Sequence, residues 1–427
     1  MLPYDAIIFD LDGTLTDSQT GICRSVQYAL DRLGLPCPEE ATLRRFLGPP
    51  LAESFMRYCG MTADAAARAT DLYRERYNTI GWKENNVYPL IRPLLAALKQ
   101  RGAYLAVATG KPEHTSTEIL RSFGLLPYFD AVCGPTNRDL HADKGALIRR
   151  ALQGRGRAVM VGDTAGDIQG AKDCGIDSIA VLYGYGEDGE VLSAKPTHAA
   201  ADPQALCAVL CPDMPPPKGC FVTLEGVDGC GKTTQAIALA DRLRQFGYTV
   251  RRTREPGGCP IAEEIRGIVL AKEDGGMCPE TEALLFAAAR AQHVKDVILP
   301  AVKRGEVVLC DRFVDSSLVY QGMARGLDAD WVKEINRAAY REGAPEITLY
   351  LRMGHAAAMA RRLAASDPDR IEQAGDSFHA RTEEAYERLY RENPERFIAV
   401  DAAQPPEQVT DEAFSKLFAR MTERGVL

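Results

Sequence analysis

The sequence predicts an α/β protein made of two doubly wound parallel-sheet domains. Three observations predict it. Short apolar, β-branched runs alternate with amphipathic helical stretches along the chain, and such alternation implies parallel strands with helices on both faces. The stretch from Cys211 to Gly219 carries three consecutive prolines near mid-chain, and proline runs block both helices and strand ladders. A chain of 427 residues also exceeds a single ordinary core, at ~150 residues per domain. The expected division is a domain over 1–210, a linker over 211–218 and a domain over 219–427.

In the first half, strands are expected at Ala6–Phe9, Tyr104–Ala108, Ala131–Cys133, Val159–Val161 and Ser178–Leu182, with helices at Ile91–Arg101 and Lys144–Leu152. In the second half, strands are expected at Phe221–Glu225, Thr249–Arg254, Val307–Cys310, Ile347–Leu351 and Phe397–Val400, with a helix at Ile261–Leu270. Ligands of such sheets bind beyond the carboxyl ends of the strands. Each motif described below follows one of these strands. The halves share an architecture and no repeated sequence.

Composition narrows the function classes. The formal net charge of −8 argues against a nucleic-acid binder, which needs a basic face. No apolar run approaches the ~18 residues of a membrane span. The N-terminal MLPYDAIIFDLDG has no leading basic residues and contains acids, so it reads as a buried strand and not a signal peptide. The twelve cysteines are scattered, with no CxxC pair and no Cys/His cluster; reduced thiols in a cytoplasmic protein are expected.

The segment Gly226, Val227, Asp228, Gly229, Cys230, Gly231, Lys232, Thr233 fits GxxxxGK[ST] after an apolar strand, and Thr234 follows it. Glycines let backbone N–H groups wrap phosphates, and a helix starting here turns its positive end toward them. Lys232 is the candidate to reach the β- and γ-phosphates of ATP and Thr233 to hold Mg²⁺. Cys230 lies beside Lys232 at a helix N-terminus, an environment expected to lower a thiol pKa, so two readings stand: a redox-sensitive thiol, or a small side chain filling an alanine position.

Further on stand TREPGG at 253–258, TEALLFAAARAQH at 281–293, DRFVDSSLVYQG at 311–322 and PDRIEQ at 368–373. This order resembles thymidylate kinases over 219–427. The resemblance implies that Phe286 stacks on thymine and that Arg290 bonds a thymine carbonyl. The i, i+4 spacing of these two places them on one helix face. It further implies that Arg312 grips the dTMP phosphate and that Asp311 lies near Mg²⁺. Ser317 would read the thymine N3 edge, Tyr320 would crowd the 2′ position, and Asp228 would meet the acceptor 3′-hydroxyl. Family members without a basic residue inside the P-loop use lid arginines. Here the candidates are Arg361, Arg362 and Arg370, since 363–369 lacks the family's arginine-rich run. Arg352 replaces an aspartate common in the family. A homodimer is expected by resemblance.

In the first half, Asp10-Leu-Asp-Gly-Thr14 follows the first strand. Two carboxylates at i and i+2 suit one nucleophile and one acid/base. Thr109 ends a strand, Lys144 opens a helix, and Asp163 and Asp167 follow another strand. The set resembles haloacid dehalogenase-like phosphatases, nearest the phosphoglycolate phosphatase and 5′-nucleotidase-like subgroup, with a helical cap at about 16–86. The resemblance implies an aspartyl-phosphate on Asp10 and acid/base work by Asp12. Thr109 and Lys144 would hold the phosphoryl oxygens. Mg²⁺ would be held by Asp10, the Asp12 carbonyl and Asp163, with Asp167 in support. Cap residues Arg24, Gly48–Leu51 and Tyr73–Tyr77 would set the substrate. Two alternatives stand beside this reading: a non-catalytic regulatory first half, or a kinase for another nucleoside monophosphate.

Overall fold

The computed structural model describes residues 2–136, 143–271, 276–365 and 376–426, with the side chains of 363–365, 376 and 377 left out. The chain forms two compact units, Met1–Pro215 with Gln245–Gly247, and Pro216–Arg244 with Tyr248–Leu427. No described helix is long and apolar enough to cross a membrane.

The strands of the first unit are β1 (Ala6–Phe9), β2 (Thr16–Asp17), β3 (Asn86–Val87), β4 (Tyr104–Ala108), β5 (Ala131–Cys133), β6 (Ala158–Gly162), β7 (Asp177–Val181) and β8 (His198–Ala200). Six of them make one parallel sheet in the order β5-β4-β1-β6-β7-β8. β1 is central and wholly buried, as a sheet covered on both faces requires. The chain builds outward on one side of β1, then returns to its other side at β6. That reversal opens a crevice at the carboxyl end of β1.

The short antiparallel pair of β2 and β3 marks where the chain leaves and re-enters this unit's sheet domain. Between them lie helices Gln19–Arg32, Glu40–Arg44, Leu51–Cys59 and Ala63–Tyr77. They bury a core of their own, including Val26, Leu30, Phe46, Phe55 and Tyr73. Phe46 and Phe55 meet edge to face at 5.1 Å, a favourable aromatic geometry.

The second unit holds β9 (Cys220–Glu225), β10 (Val250–Arg254), β11 (Val307–Asp311), β12 (Ile347–Arg352) and β13 (Phe397–Asp401) in the parallel order β10-β11-β9-β12-β13. Central β9 is fully buried. β10 lies at the edge, where Arg251 and Arg252 stay exposed. Again the first strand is central and the crevice opens at its carboxyl end. The expected strands match to within a residue or so at each end. β2, β3 and β8 carried too few apolar residues to be read from the sequence.

Candidate functional sites

The site of the first unit begins where β1 ends. Asp10 is buried. Lys144 opens the helix Lys144–Leu152, whose N-cap Asp143 accepts the Ala146 N–H. The Lys144 ammonium lies 2.8 Å from Asp10 Oδ1, 2.6 Å from Asp167 Oδ1 and 3.0 Å from the Ala108 carbonyl. Asp167 sits in the first turn of the helix Ala165–Asp173 and closes a capping box with Thr164. Asp163 accepts from the Thr14 hydroxyl at 3.1 Å and the Tyr185 N–H at 2.7 Å. Asp10, Asp163 and Asp167 each bring a carboxylate oxygen within 4.8 Å of the others.

This crowding has an electrostatic consequence. Burial pushes Asp10 up to about 6 against the pull of Lys144. Burial, with Asp10 and Asp167 adding to it, pushes Asp163 up to about 8. Three buried acids, only two of them paired with the one lysine, are short of positive charge. Their oxygen donors suit a hard divalent cation such as Mg²⁺. Glycine makes the cluster possible: at Gly13, with φ of 79°, a Cβ would stand 2.2 Å from Asp163 Oδ2, and at Gly162 one would stand 2.3 Å from Asp167.

Asp12 is not one of the three clustered carboxylates, though its charge also acts on Asp10. Its Oδ2 pairs with Lys111 at 2.9 Å, while its Oδ1 is buried and has no hydrogen-bond partner in the protein. Lys111 also donates to Tyr77 of the helical insertion at 2.5 Å. Burial would lower Lys111, but Asp12 and then Tyr77 outweigh it and raise it above its ordinary value. Thr109 is buried at the end of β4, its hydroxyl accepting the Lys111 N–H at 3.2 Å.

In the second unit one cavity of about 530 Å³ runs from the P-loop past Asp311 and Arg312 to Phe286 and Arg290. Gly226, Gly229 and Gly231 all adopt positive φ. At Gly229 a Cβ would stand 2.0 Å from the Ala358 carbonyl, so only glycine lets the helix His355–Ala365 approach the loop. Lys232 folds over its own loop, donating to the Gly226 and Val227 carbonyls at 3.0 and 2.8 Å. Thr233 donates to Asp311 Oδ2 at 2.6 Å, a hydroxyl and a carboxylate suited to Mg²⁺.

Arg312 has φ of 72°, a left-handed conformation rare for a side chain of this size. It is ion-paired with Asp228, donates to Ser316 at 3.1 Å and lies 5.0 Å over the Tyr320 ring. Tyr320 donates to Asp228 at 2.7 Å from the π-helical stretch Leu318–Ala324. Burial would raise Asp228, but Arg312 and then Lys232 outweigh it and hold the carboxyl below its ordinary value.

Arg290 is almost fully buried and heavily committed. Its Nε meets Glu255 at 2.6 Å, its Nη1 meets Ser317 at 3.0 Å and Asn336, and its Nη2 meets the Phe313 carbonyl at 3.2 Å. Glu255 also accepts from His293 at 2.9 Å. Phe286, one turn earlier on the helix Pro279–His293, lines the same cavity.

Comparisons with known proteins match each half of the chain to a family. A family model described as thymidylate kinase matches residues 224–413, and one described as haloacid dehalogenase-like hydrolase matches 7–181. The thymidylate kinase of Halalkalibacterium halodurans is 44% identical over 207 residues, covering 48% of this chain and 99% of that relative. The chain belongs to the thymidylate kinase family. A second thymidylate kinase, from Thermomicrobium roseum, is 48% identical over 206 residues, covering 48% of this chain and 97% of that relative. A solved predicted phosphatase from Clostridium acetobutylicum is 38% identical, covering 48% of this chain and 96% of that one, with a TM-score of 0.45. Ahead of its thymidylate kinase domain, this member carries a domain that matches the haloacid dehalogenase-like hydrolase model over residues 7–181.

The structure brings together Asp10, Lys144, Asp163 and Asp167 in one domain. In the other it brings together Asp228, Lys232, Thr233, Thr234, Phe286, Arg290, Asp311, Arg312, Ser317 and Tyr320. Of the lid candidates, Arg362 lines the thymidylate kinase cavity. Arg361 also lines it, though its guanidinium bonds the Ala402 and Ala403 carbonyls at 2.9 and 3.2 Å. Arg370 lies outside the described residues.

One expectation is corrected. Cys230 is buried, and burial pushes its thiol up, outweighing Lys232 and Arg312. The helix terminus and lysine were legible in the sequence; the desolvation was not. Arg24 is taken up by Glu84 at 2.8 Å, and Arg352 forms a two-pronged pair with Glu387 at 2.6 and 3.0 Å.

Sequence reasoning gave no role to three buried partners. Lys111 stands two residues after Thr109, Glu255 lies inside TREPGG, and Glu225 immediately precedes the P-loop. Only their spacing from motif residues could have pointed to them.

Proposed function

We propose that the thymidylate kinase domain transfers the γ-phosphoryl of ATP to dTMP, giving dTDP and ADP. The observation that carries this reading is the single cavity shared by P-loop, Arg312 and the Phe286–Arg290 face. It suits two phosphorylated ligands end to end. The acceptor oxygen of dTMP attacks the γ-phosphorus as the bond to the ADP oxygen breaks. No covalent enzyme intermediate is needed, because positioning and charge neutralisation suffice. Arg312 holds the acceptor phosphate, Asp228 faces the acceptor sugar, and Phe286 with Arg290 and Ser317 holds the base. Thr233 and Asp311 would hold Mg²⁺, which neutralises phosphate charge when bound. ADP release measured over a panel of nucleoside monophosphates tests this; preference for any acceptor other than dTMP overturns it.

In the first unit, the reading is hydrolysis of a small phosphomonoester. Asp10 attacks phosphorus, the bond to the leaving oxygen breaks, and that oxygen takes a proton from Asp12. Water then attacks the aspartyl-phosphate, gives its proton to Asp12 and releases inorganic phosphate. The Asp12 oxygen without a protein partner supports this proton role. Asp10, Asp163 and Asp167 would hold Mg²⁺, whose charge offsets the repulsion between a carboxylate and a phosphate dianion. dTMP is expected to be a poor substrate, since its hydrolysis would consume what the kinase needs. Finding dTMP the best of a monophosphate panel with Lys232→Ala protein would refute that. The homodimer expected from the family is part of the proposal and is tested by solution mass.

A further inference from the structure

Glu225 is the last residue of β9 and is fully buried. Chain adjacency to Gly226 would link it with ATP. Its hydrogen bonds run the other way. Oε1 accepts the Phe313 N–H at 2.7 Å, and Oε2 accepts the Ser316 hydroxyl at 2.7 Å and the Tyr386 hydroxyl at 2.9 Å. Ser316 in turn accepts from Arg312 Nη1 at 3.1 Å.

Proton accounting makes this a directed chain. The Ser316 hydroxyl has one proton. Donating it to Glu225 leaves an oxygen lone pair for the guanidinium. The backbone is held from the same strand end, since the Arg312 N–H bonds the Leu224 carbonyl at 3.0 Å beside the Phe313–Glu225 bond. These two bonds clamp a residue whose φ of 72° is otherwise unfavourable.

We propose that Glu225 is a positioning residue for the acceptor phosphate, setting the orientation of Arg312 through Ser316 and the Arg312–Phe313 backbone. This rests on Arg312 being the grip on the acceptor phosphate, as proposed above. A glutamine cannot replace Glu225, because it offers an acceptor at only one end. An amide nitrogen facing Ser316 takes away the acceptor of its hydroxyl proton and so reorders its bonds to Arg312 and Tyr386; one facing Phe313 opposes a backbone N–H.

The test is steady-state kinetics of the full-length protein, with KM for dTMP and for ATP measured separately beside melting curves. Glu225→Gln and Ser316→Ala are each expected to raise KM for dTMP about tenfold, the equivalent of one lost hydrogen bond to a charged group. KM for ATP should stay within about twofold. Tyr386→Phe, which removes a hydroxyl that meets both Glu225 and Ser316 but leaves the Ser316–Arg312 bond in place, should shift KM for dTMP in the same direction by less. An equal rise in KM for ATP, or a lowered melting temperature with both KM values unchanged, overturns the proposal. If Glu225→Gln does not fold, Ser316→Ala decides, since it removes the bridge and keeps the acid. Arg312→Lys separates the two levels. If it leaves KM for dTMP unchanged, the reading of Arg312 itself fails. If it raises KM for dTMP while Ser316→Ala and Glu225→Gln do not, only the role of Glu225 fails.

Discussion

At the end of β1, Asp10, Asp163 and Asp167 crowd within 4.8 Å, and Lys144 pairs with Asp10 and Asp167. Beyond the end of β9, the cavity instead presents Lys232, Arg254, Arg266, Arg290 and Arg312. Both places are carboxyl ends of a central first strand in a parallel sheet, and both suit phosphoryl chemistry. On the proposed mechanisms, their opposite charge follows from who supplies the nucleophile. A site that attacks phosphorus with its own carboxylate must gather acids and needs a cation to offset them. A site that aligns two anionic substrates must gather cations and needs only enough carboxylate to hold these in place. Asp228 against Arg312 and Glu255 against Arg290 have that holding role.

The sharpest way to break this contrast is to disable each site alone. Asp10→Asn should lower hydrolysis of p-nitrophenyl phosphate by about a thousandfold or more and leave dTMP phosphorylation unchanged. Lys232→Ala should lower phosphorylation by a similar factor of about a thousand and leave hydrolysis unchanged. Loss of both activities in either variant would break the division of labour. Chelation followed by Mg²⁺ titration sharpens it further. Hydrolysis should vanish and return with the metal, and melting temperature should rise as the acid cluster gains its counter-charge.

Stability gives the next contrast. Glu255→Ala strands a buried guanidinium and should cost about 3–5 kcal/mol in denaturant unfolding. In the other unit, Gly13→Ala puts a methyl against Asp163 at positive φ. It should cost about 1–3 kcal/mol and depress hydrolysis, while dTMP phosphorylation holds. The smallest effect is expected at Cys230. Its buried thiol should react with a disulfide reagent more slowly than exposed Cys37 and Cys278, and added nucleotide should not speed it. Fast, ATP-protected labelling of Cys230 would reverse the correction made above.

Motif residues were legible because their chemistry is local. A strand that ends in Asp-x-Asp-Gly-Thr, or a loop of GxxxxGK[ST], carries its groups on a few consecutive residues whose geometry the backbone sets. The strands themselves follow from alternation and the apolar runs, while the central position of β1 and β9, and with it the place of both crevices, came only with the sheet order. Strands β2, β3 and β8 escaped because two or three residues hold too little pattern.

What the sequence determined, then, is the pair of parallel α/β sheets and the groups at their strand ends that the proposal assigns to phosphoryl chemistry. Tertiary structure decided how those groups are held. Lys111 meets Asp12 and Tyr77, Glu255 meets Arg290 and His293, and Glu225 reaches Arg312 through Ser316. It also decided that Cys230 is desolvated more than it is activated. The reason is physical: hydrogen-bond direction and burial depend on residues far apart in the chain. Neither leaves a spacing that a linear pattern can show.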